Sequence, residues 1–328
     1  MGSFKLLALF HVLVIQCLLN VSLGLQVAVI GATGNIGRAA IAQLSRVNVD
    51  IKCLLRHDIT SEDRVLSASA KVAASLASLK GVTMVMGDVT NKESIAHLIE
   101  GCDAVLCLQG PPKPNPIASL LPFLSNPDAP SHPRMTNFVG MQNVIQAVQA
   151  QTNPTCKRIV RITGKGEQPF SFFTILINML GCMAKAWNYE GEQLLRNSGI
   201  DYTIIRPGLL KDPDDYQIPT KAKMVKDNGQ DLKVSPVTYD QIANVCIDAL
   251  NYDNCAKTTL TVMNVDEGQG YDEYTDVLPF VNADELDKRY PDTLLEKHRL
   301  GARIGLFGLC VFIATVLNGL KAIVGILL

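Results

Sequence analysis

One short stretch of the chain carries side chains that can do acid–base chemistry. Within AKAWNYEGEQLLRNSGIDYTIIRPG, from Ala184 to Gly208, Lys185 lies four residues before Tyr189. An ammonium close to a phenol favours the phenolate and lowers its pKa, and residues four apart share a helix face. The competing reading is a surface lysine and a packed tyrosine. Thr163, at the end of the run KRIVRIT, adds a hydroxyl that can orient a carbonyl.

A second constellation suits phosphate binding. In VAVIGATGNIGRAAIAQL, Gly31, Gly34 and Gly37 separate an apolar run from a segment with helical spacing. Gly31 permits a tight turn, Gly34 lets backbone approach a pyrophosphate, and Gly37 allows close contact of helix and strand. Thr33, Asn35 and Ile36 fill the turn and open the helix, whose unpaired N–H groups and dipole attract anions. Arg38 follows the last glycine and Arg56 ends the next apolar run, DIKCLLR. Two guanidinium groups there suit a ribose 2′-phosphate, which predicts NADP(H) over NAD(H). Asp58, two residues beyond Arg56, is the carboxylate that would argue the other way. In MGDVTNKES, Asp88 and Val89 follow the third run; Asp88 can meet an adenine amino group or cap the next turn. Gly110 in CLQGP and Pro207 in YTIIRPG end later runs and complete the candidate cofactor set.

Elements must exist to hold these groups. The runs LQVAVI, DIKCLLR, VTMVMGD, DAVLCLQG, KRIVRIT and YTIIRPG are short and apolar. Helix-like segments alternate with them: NIGRAAIAQLS, SEDRVLSASAKVAASLASL, NKESIAHLIEG, MTNFVGMQNVIQAVQA and GEQLLRNSG. Such alternation predicts an α/β fold of the Rossmann type, a doubly wound parallel sheet covered on both faces. The proline-rich segment PPKPNPIASLLPFLSNPDAPSHP is a lid or a surface excursion after the fourth strand. The segment FSFFTILINMLGCMAKAW is unusually apolar, and Phe170, Phe172, Phe173 and Trp187 fit a substrate pocket, a lipid contact or ordinary packing.

These pieces together resemble the atypical short-chain dehydrogenase/reductases, the NAD(P)H-binding and NmrA-like group. The matching motifs are GATGNIG, the LLR strand end, GDVTN, VGMQNVIQA, KRIVRIT and GEQLLRNSGIDYTIIRPG, over roughly Gln26 to Asn264. The resemblance implies a nucleotide-binding Rossmann domain whose members include reductases of small molecules and non-catalytic sensors. In catalytic members a tyrosine precedes a lysine by four residues, and a glutamate follows four later. Aligning on Glu192 puts Asn188 at the lysine position and Ala184 at the tyrosine position. The usual proton-transfer groups are then absent, while Asn188 keeps a hydrogen bond for ribose. Lys185 and Tyr189 could substitute only from a helix face turned by about a hundred degrees.

Bulk properties restrict the partners. The 328 residues carry 30 Lys and Arg against 31 Asp and Glu, which gives no basis for nucleic-acid binding. Nine cysteines form no CxxC and no metal-ligand spacing, as expected of reduced core thiols. Both ends are apolar. Residues 1–24 read as a signal peptide or signal-anchor. Residues 302–328 read as a transmembrane helix, uncharged from Ile304 to Leu320. The basic residues Lys288, Arg289, Lys297, Arg299 and Arg303 before it argue for a cytosolic main domain, whereas a working signal would place it in a lumen. The expected organisation is a Rossmann domain at 25–265, a linker at 266–301, and lipid contact through the C-terminal helix. The expected location is a membrane of the secretory or endomembrane system, with a small molecule as substrate.

Overall fold

The computed structural model describes residues 24–47, 49–56, 68–110, 126–151, 155–164, 168–229, 233–285 and 293–327. The N-terminal apolar segment, Asp58 and most of the proline-rich segment lie outside them. The described parts fall into two compact units. The first takes the described residues up to Gln109, with those of Asn143–Thr163 and Ser198–Asp284, and the second takes the described residues of Gly110–Gln142, Gly164–Asn197 and beyond Asp284.

The first unit is built on an eight-stranded sheet. Its strands are β1 (Gln26–Ile30), β2 (Asp50–Leu55), β3 (Val82–Met86), β4 (Ala104–Cys107), β5 (Arg158–Ile162), β6 (Tyr202–Pro207), β8 (Lys223–Lys226) and β10 (Thr258–Asn264). Their order is β3-β2-β1-β4-β5-β6-β10-β8. All neighbours are parallel except the antiparallel edge strand β8. This is a doubly wound Rossmann-type fold, with its switch point between β1 and β4. β7 (Leu209–Lys211) and β9 (Pro236–Thr238) pair separately.

The central strands β4, β5 and β6 are buried along their whole length, which accounts for their continuous apolar runs. The two arginines of β5 do not contradict this. Arg158 Nη1 donates to the carbonyls of Ala249 and Tyr252 at 2.6 and 2.8 Å, so that buried charge is met by backbone dipoles. Helices α1 (Asn35–Leu44), α2 (Ala68–Ala77) and α3 (Lys92–Ile99) alternate with the first strands. α4 (Gly140–Gln149) continues a π-helical turn at Met135–Val139.

The parallel strands and most helices fall where the sequence pattern puts them. The second half of the sheet did not announce itself. β9 leads into β10 through a helix at Tyr239–Asp248, which opens with a capping box between Thr238 and Gln241. Its packing is fixed by a buried pair of amides, Gln241 and Asn264, 2.9 and 3.0 Å apart in the two directions.

The second unit is helical. α5 (Phe172–Leu180) is capped by the Ser171 hydroxyl, and α6 (Ala184–Arg196) follows after two left-handed residues, Cys182 and Met183. With Tyr239–Asp248 numbered α7, the last helix is α8 (Leu294–Leu327). Its segment Leu294–Gly319 is long and apolar enough to cross a membrane, and its most apolar window has a mean hydropathy of 2.1. Only 11% of its most apolar window is buried in the protein. The described cysteines are all free, seven buried and Cys310 exposed. Burial pushes the thiols of Cys53 and Cys107 up to about 12, so they behave as core residues.

Candidate functional site

In the first unit, parallel strands bring most of the candidate cofactor residues to one edge of the sheet. Gly31 follows β1, Arg56 follows β2, Asp88 lies just past β3, Thr163 follows β5, and Pro207 ends β6. This is the carboxyl edge, where ligands of doubly wound sheets bind.

The glycine turn has a different steric reason at each position. Gly31 has φ +89°, and an added Cβ would lie 2.6 Å from the Gln109 nitrogen. A Cβ on Gly37 would lie 2.2 Å from the Gly31 carbonyl oxygen and 2.9 Å from that of Ala32. The first glycine lets β1 turn beside β4, and the last seats α1 on that turn. Gly34 differs. Its φ is −72°, and a Cβ would meet only the Gly31 carbonyl oxygen, at 3.3 Å. The fold tolerates a side chain there far better than at its two neighbours.

Gly34 is also the N-cap of α1, and it supplies no side-chain cap. The N–H groups of the first turn therefore depend on some other acceptor. Thr33 is half-buried, Asn35 is exposed, and Ile36 is buried beneath the helix. Arg38 is exposed and donates to Asn35 Oδ1 at 2.6 Å, and Arg56 is exposed at its strand end.

Asp88 does cap a turn. Its Oδ1 accepts from the Thr90 amide and hydroxyl at 2.8 and 2.7 Å. The carbonyl of Val89 accepts from Asn143 Nδ2 at 3.0 Å, which ties this loop to α4. Gly110 stands in open space, with nothing within 4 Å of a Cβ. Thr163 is half-buried and its amide donates to the Ile205 carbonyl. Next to Pro207, Gly208 is required by packing, since a Cβ would lie 2.1 Å from the Ser235 carbonyl oxygen.

Gln109, beside Gly110 in CLQGP, carries no sequence signal of its own. Both polar atoms of its side-chain amide are buried, with no hydrogen-bond partner among the described residues. Leaving such an amide unmet costs roughly 1–3 kcal/mol. It stands at the switch point, against the Gly31 turn. An uncapped helix start and an orphaned amide on the same edge fit a nucleotide: such a helix start can take phosphate oxygens, and such an amide can both donate and accept.

The side chains of α6 belong to the second unit. Lys185, Tyr189, Glu192 and Arg196 lie along one stripe, spaced by four, three and four residues. Tyr189 is 4% exposed and packs on Leu294 of α8. The guanidinium of Arg196 lies 6.0 Å from its ring centroid. Arg196 also pairs with Glu192 at 2.8 Å, and both side chains are almost wholly buried. Glu192 is thus half of an internal ion pair that fixes the rotation of α6. Ala184 and Asn188 lie on the adjacent face and are half-buried, as is Lys185. Trp187 is engaged by Phe138 and by the guanidinium of Arg134, each about 5.9 Å away by centroid. Phe170, Phe172 and Phe173 are exposed. No cluster of metal-binding side chains occurs among the described residues.

Comparison with known proteins agrees with this geometry. The NAD(P)H-binding family profile matches residues 31–253, and the chain belongs to that family. Among solved structures, a short-chain dehydrogenase/reductase from Veillonella parvula in complex with NADP superposes with a TM-score of 0.53. It is 14% identical, covering 76% of this chain and 98% of that one. A NAD-dependent epimerase/dehydratase-like protein from Bacillus halodurans gives a TM-score of 0.52 at 18% identity, covering 74% and 96%. At these identities the likeness concerns the fold. Among curated proteins, the Arabidopsis thaliana chloroplastic protein At2g37660 is 28% identical over 191 residues, 56% of each chain. Protein TIC 62, also chloroplastic and from Arabidopsis thaliana, is 21% identical over 193 residues, 58% of this chain and 28% of its own length. The matched regions thus span about half of the first relative and less of the second.

Proposed function

We propose that this protein is a membrane-tethered oxidoreductase that binds NADP(H) and passes hydride to or from a small apolar or quinone-like substrate. The observation that carries the reading is the glycine turn. Gly31 and Gly37 are forced by backbone atoms within 3 Å of a Cβ, whereas at Gly34 a Cβ would make one close contact, 3.3 Å from the Gly31 carbonyl oxygen, so room for a ligand is the further reason for glycine there. In this reading the first turn of α1 holds the pyrophosphate and Arg38 and Arg56 hold the 2′-phosphate. Gln109, Asp88 and Gly110 line the cofactor, and Thr163 orients the substrate carbonyl. The nicotinamide supplies the hydride, and the chain's contribution is to position and exclude water. The proton comes from water or substrate, because Tyr189 is packed into the second unit. The helix α8 is the tether. The relatives named as chloroplastic favour an organelle membrane over the secretory route.

A second reading, a non-catalytic NADP(H) sensor, is favoured by the same burial of Tyr189 and by Ala184 and Asn188 beside it. One experiment separates the two. The purified full chain is titrated with NADPH and NADH, and NADPH oxidation is then followed with short-chain quinones. Tighter NADPH binding, weakened selectively by Arg56→Ala, supports the cofactor assignment; equal affinities would sink it. Binding without turnover over a panel of apolar acceptors would leave the sensor as the better account.

A further inference from the structure

The helix α5 has its polarity reversed for a helix on a water-facing surface. Its polar residues point inward: Thr174 is 2% and Asn178 0% exposed. Asn178 is fastened on two sides, accepting from the Ala186 amide at 3.2 Å and meeting His298 Nδ1 at 3.0 Å. The outward face is Phe173, Ile177 and Leu180, at positions four and three residues apart, with Phe172 and Phe170 at its start. Phe172 and Phe173 are 74% and 71% exposed and stack edge to face with each other. No residue of α5 is charged. An exposed apolar patch of this kind marks a contact site, and the inward-polar pattern is what a helix in contact with hydrocarbon requires.

The partner is indicated by where α5 is attached. It packs on α8 at Gly301 and Gly305, where a Cβ would lie 2.6 Å from the Pro169 carbonyl oxygen and 2.4 Å from Ile175 Cγ2. These two glycines flank Arg303, the last charged residue before the uncharged run from Ile304 to Leu320. The same stretch of α8 exposes Ile304 and Phe307, where the helix would leave the headgroup layer. Lys297, Arg299 and Arg303 precede that point and suit anionic headgroups.

We propose that α5 is an interfacial helix bedded in the bilayer surface beside the start of α8, with Phe172 and Phe173 inserted among the acyl chains. This rests on the reading of α8 as a membrane span. The second unit would then be held by an embedded face as well as a tether, which fixes its orientation to the membrane.

The chain has a single tryptophan, Trp187, which allows a clean test. Full-length protein carrying Trp187→Phe with either Phe173→Trp or Phe312→Trp is reconstituted in vesicles containing anionic lipid, with or without brominated acyl chains. Where Trp187→Phe impairs folding, Trp187 is kept and its own quenching subtracted. Loss of fluorescence to brominated lipid at both probes is the expected result. Quenching at position 312 but not 173 overturns the proposal and leaves the tether standing. Quenching at neither removes both. A blue-shifted but unquenched probe at 173 means that protein covers α5, whether another segment of this chain or a second molecule, and equally overturns the proposal.

Discussion

The turn after β1 and the helix α6 are the two regions where chemistry was expected, and they are built on opposite terms. The turn is shaped by missing side chains: two of its glycines are forced by backbone atoms within 3 Å of a Cβ. The function proposed for it resides in main-chain N–H groups, so the requirement is local and few residues can meet it. α6 is shaped by what it buries. Tyr189, Glu192 and Arg196 share a stripe that is packed inside the second unit. A side chain with catalytic chemistry is there occupied by architecture. A backbone site can be read from residue type alone, whereas a side-chain site depends on which way the helix is turned.

Four substitutions test that contrast, from the largest effect to the smallest. Gly37→Val should be the most damaging, because its Cβ meets fixed backbone oxygens on a turn that cannot yield. A loss on the order of 4–5 kcal/mol is expected, seen as failure to fold or a collapsed melting temperature. Gly34→Val is its counterpart: it should melt close to the wild type yet fail to bind NADPH. If both variants lose stability alike, the distinction between a packing glycine and a ligand glycine is gone.

Glu192→Gln comes next. It removes the carboxylate that pairs with the buried Arg196 guanidinium, which should cost about 3 kcal/mol in chemical denaturation. Replacing both partners with apolar residues of similar size should recover much of that loss. A Glu192→Gln protein of unchanged stability but altered turnover would move Glu192 from architecture to catalysis.

Tyr189→Phe should be the mildest. Losing its hydroxyl is expected to cost at most about 1 kcal/mol of stability and to leave any reductase rate largely intact. A catalytic acid contributes on the order of a hundredfold or more. A drop of that size with unchanged NADPH affinity would establish Lys185 and Tyr189 as a rebuilt dyad and break the comparison.

Legibility followed the same division. The strands from Gln26 to Pro207 were plain, because a parallel strand covered on both faces must be apolar throughout. The short strands β7, β8 and β9 were not, since three or four residues carry no period, and β10, TTLTVMN, is rich in threonine although buried throughout. Gln109 passed unnoticed because its amide becomes meaningful only when buried atoms find no partner. The outward face of α5 was equally hidden: FSFFTILINML shows apolar content, but not that Thr174 and Asn178 turn inward.

By itself, then, the sequence determined the fold class, the glycine turn and the apolar C-terminal helix. Each follows from local rules of sterics and hydropathy that act over a few residues. Only the tertiary structure decided that Gly34 is spared by packing, that Glu192 serves Arg196, and that Tyr189 is sealed against Leu294. Those facts depend on atoms distant in the chain meeting within a few ångströms, and no spacing along the sequence encodes the rotation that brings them together.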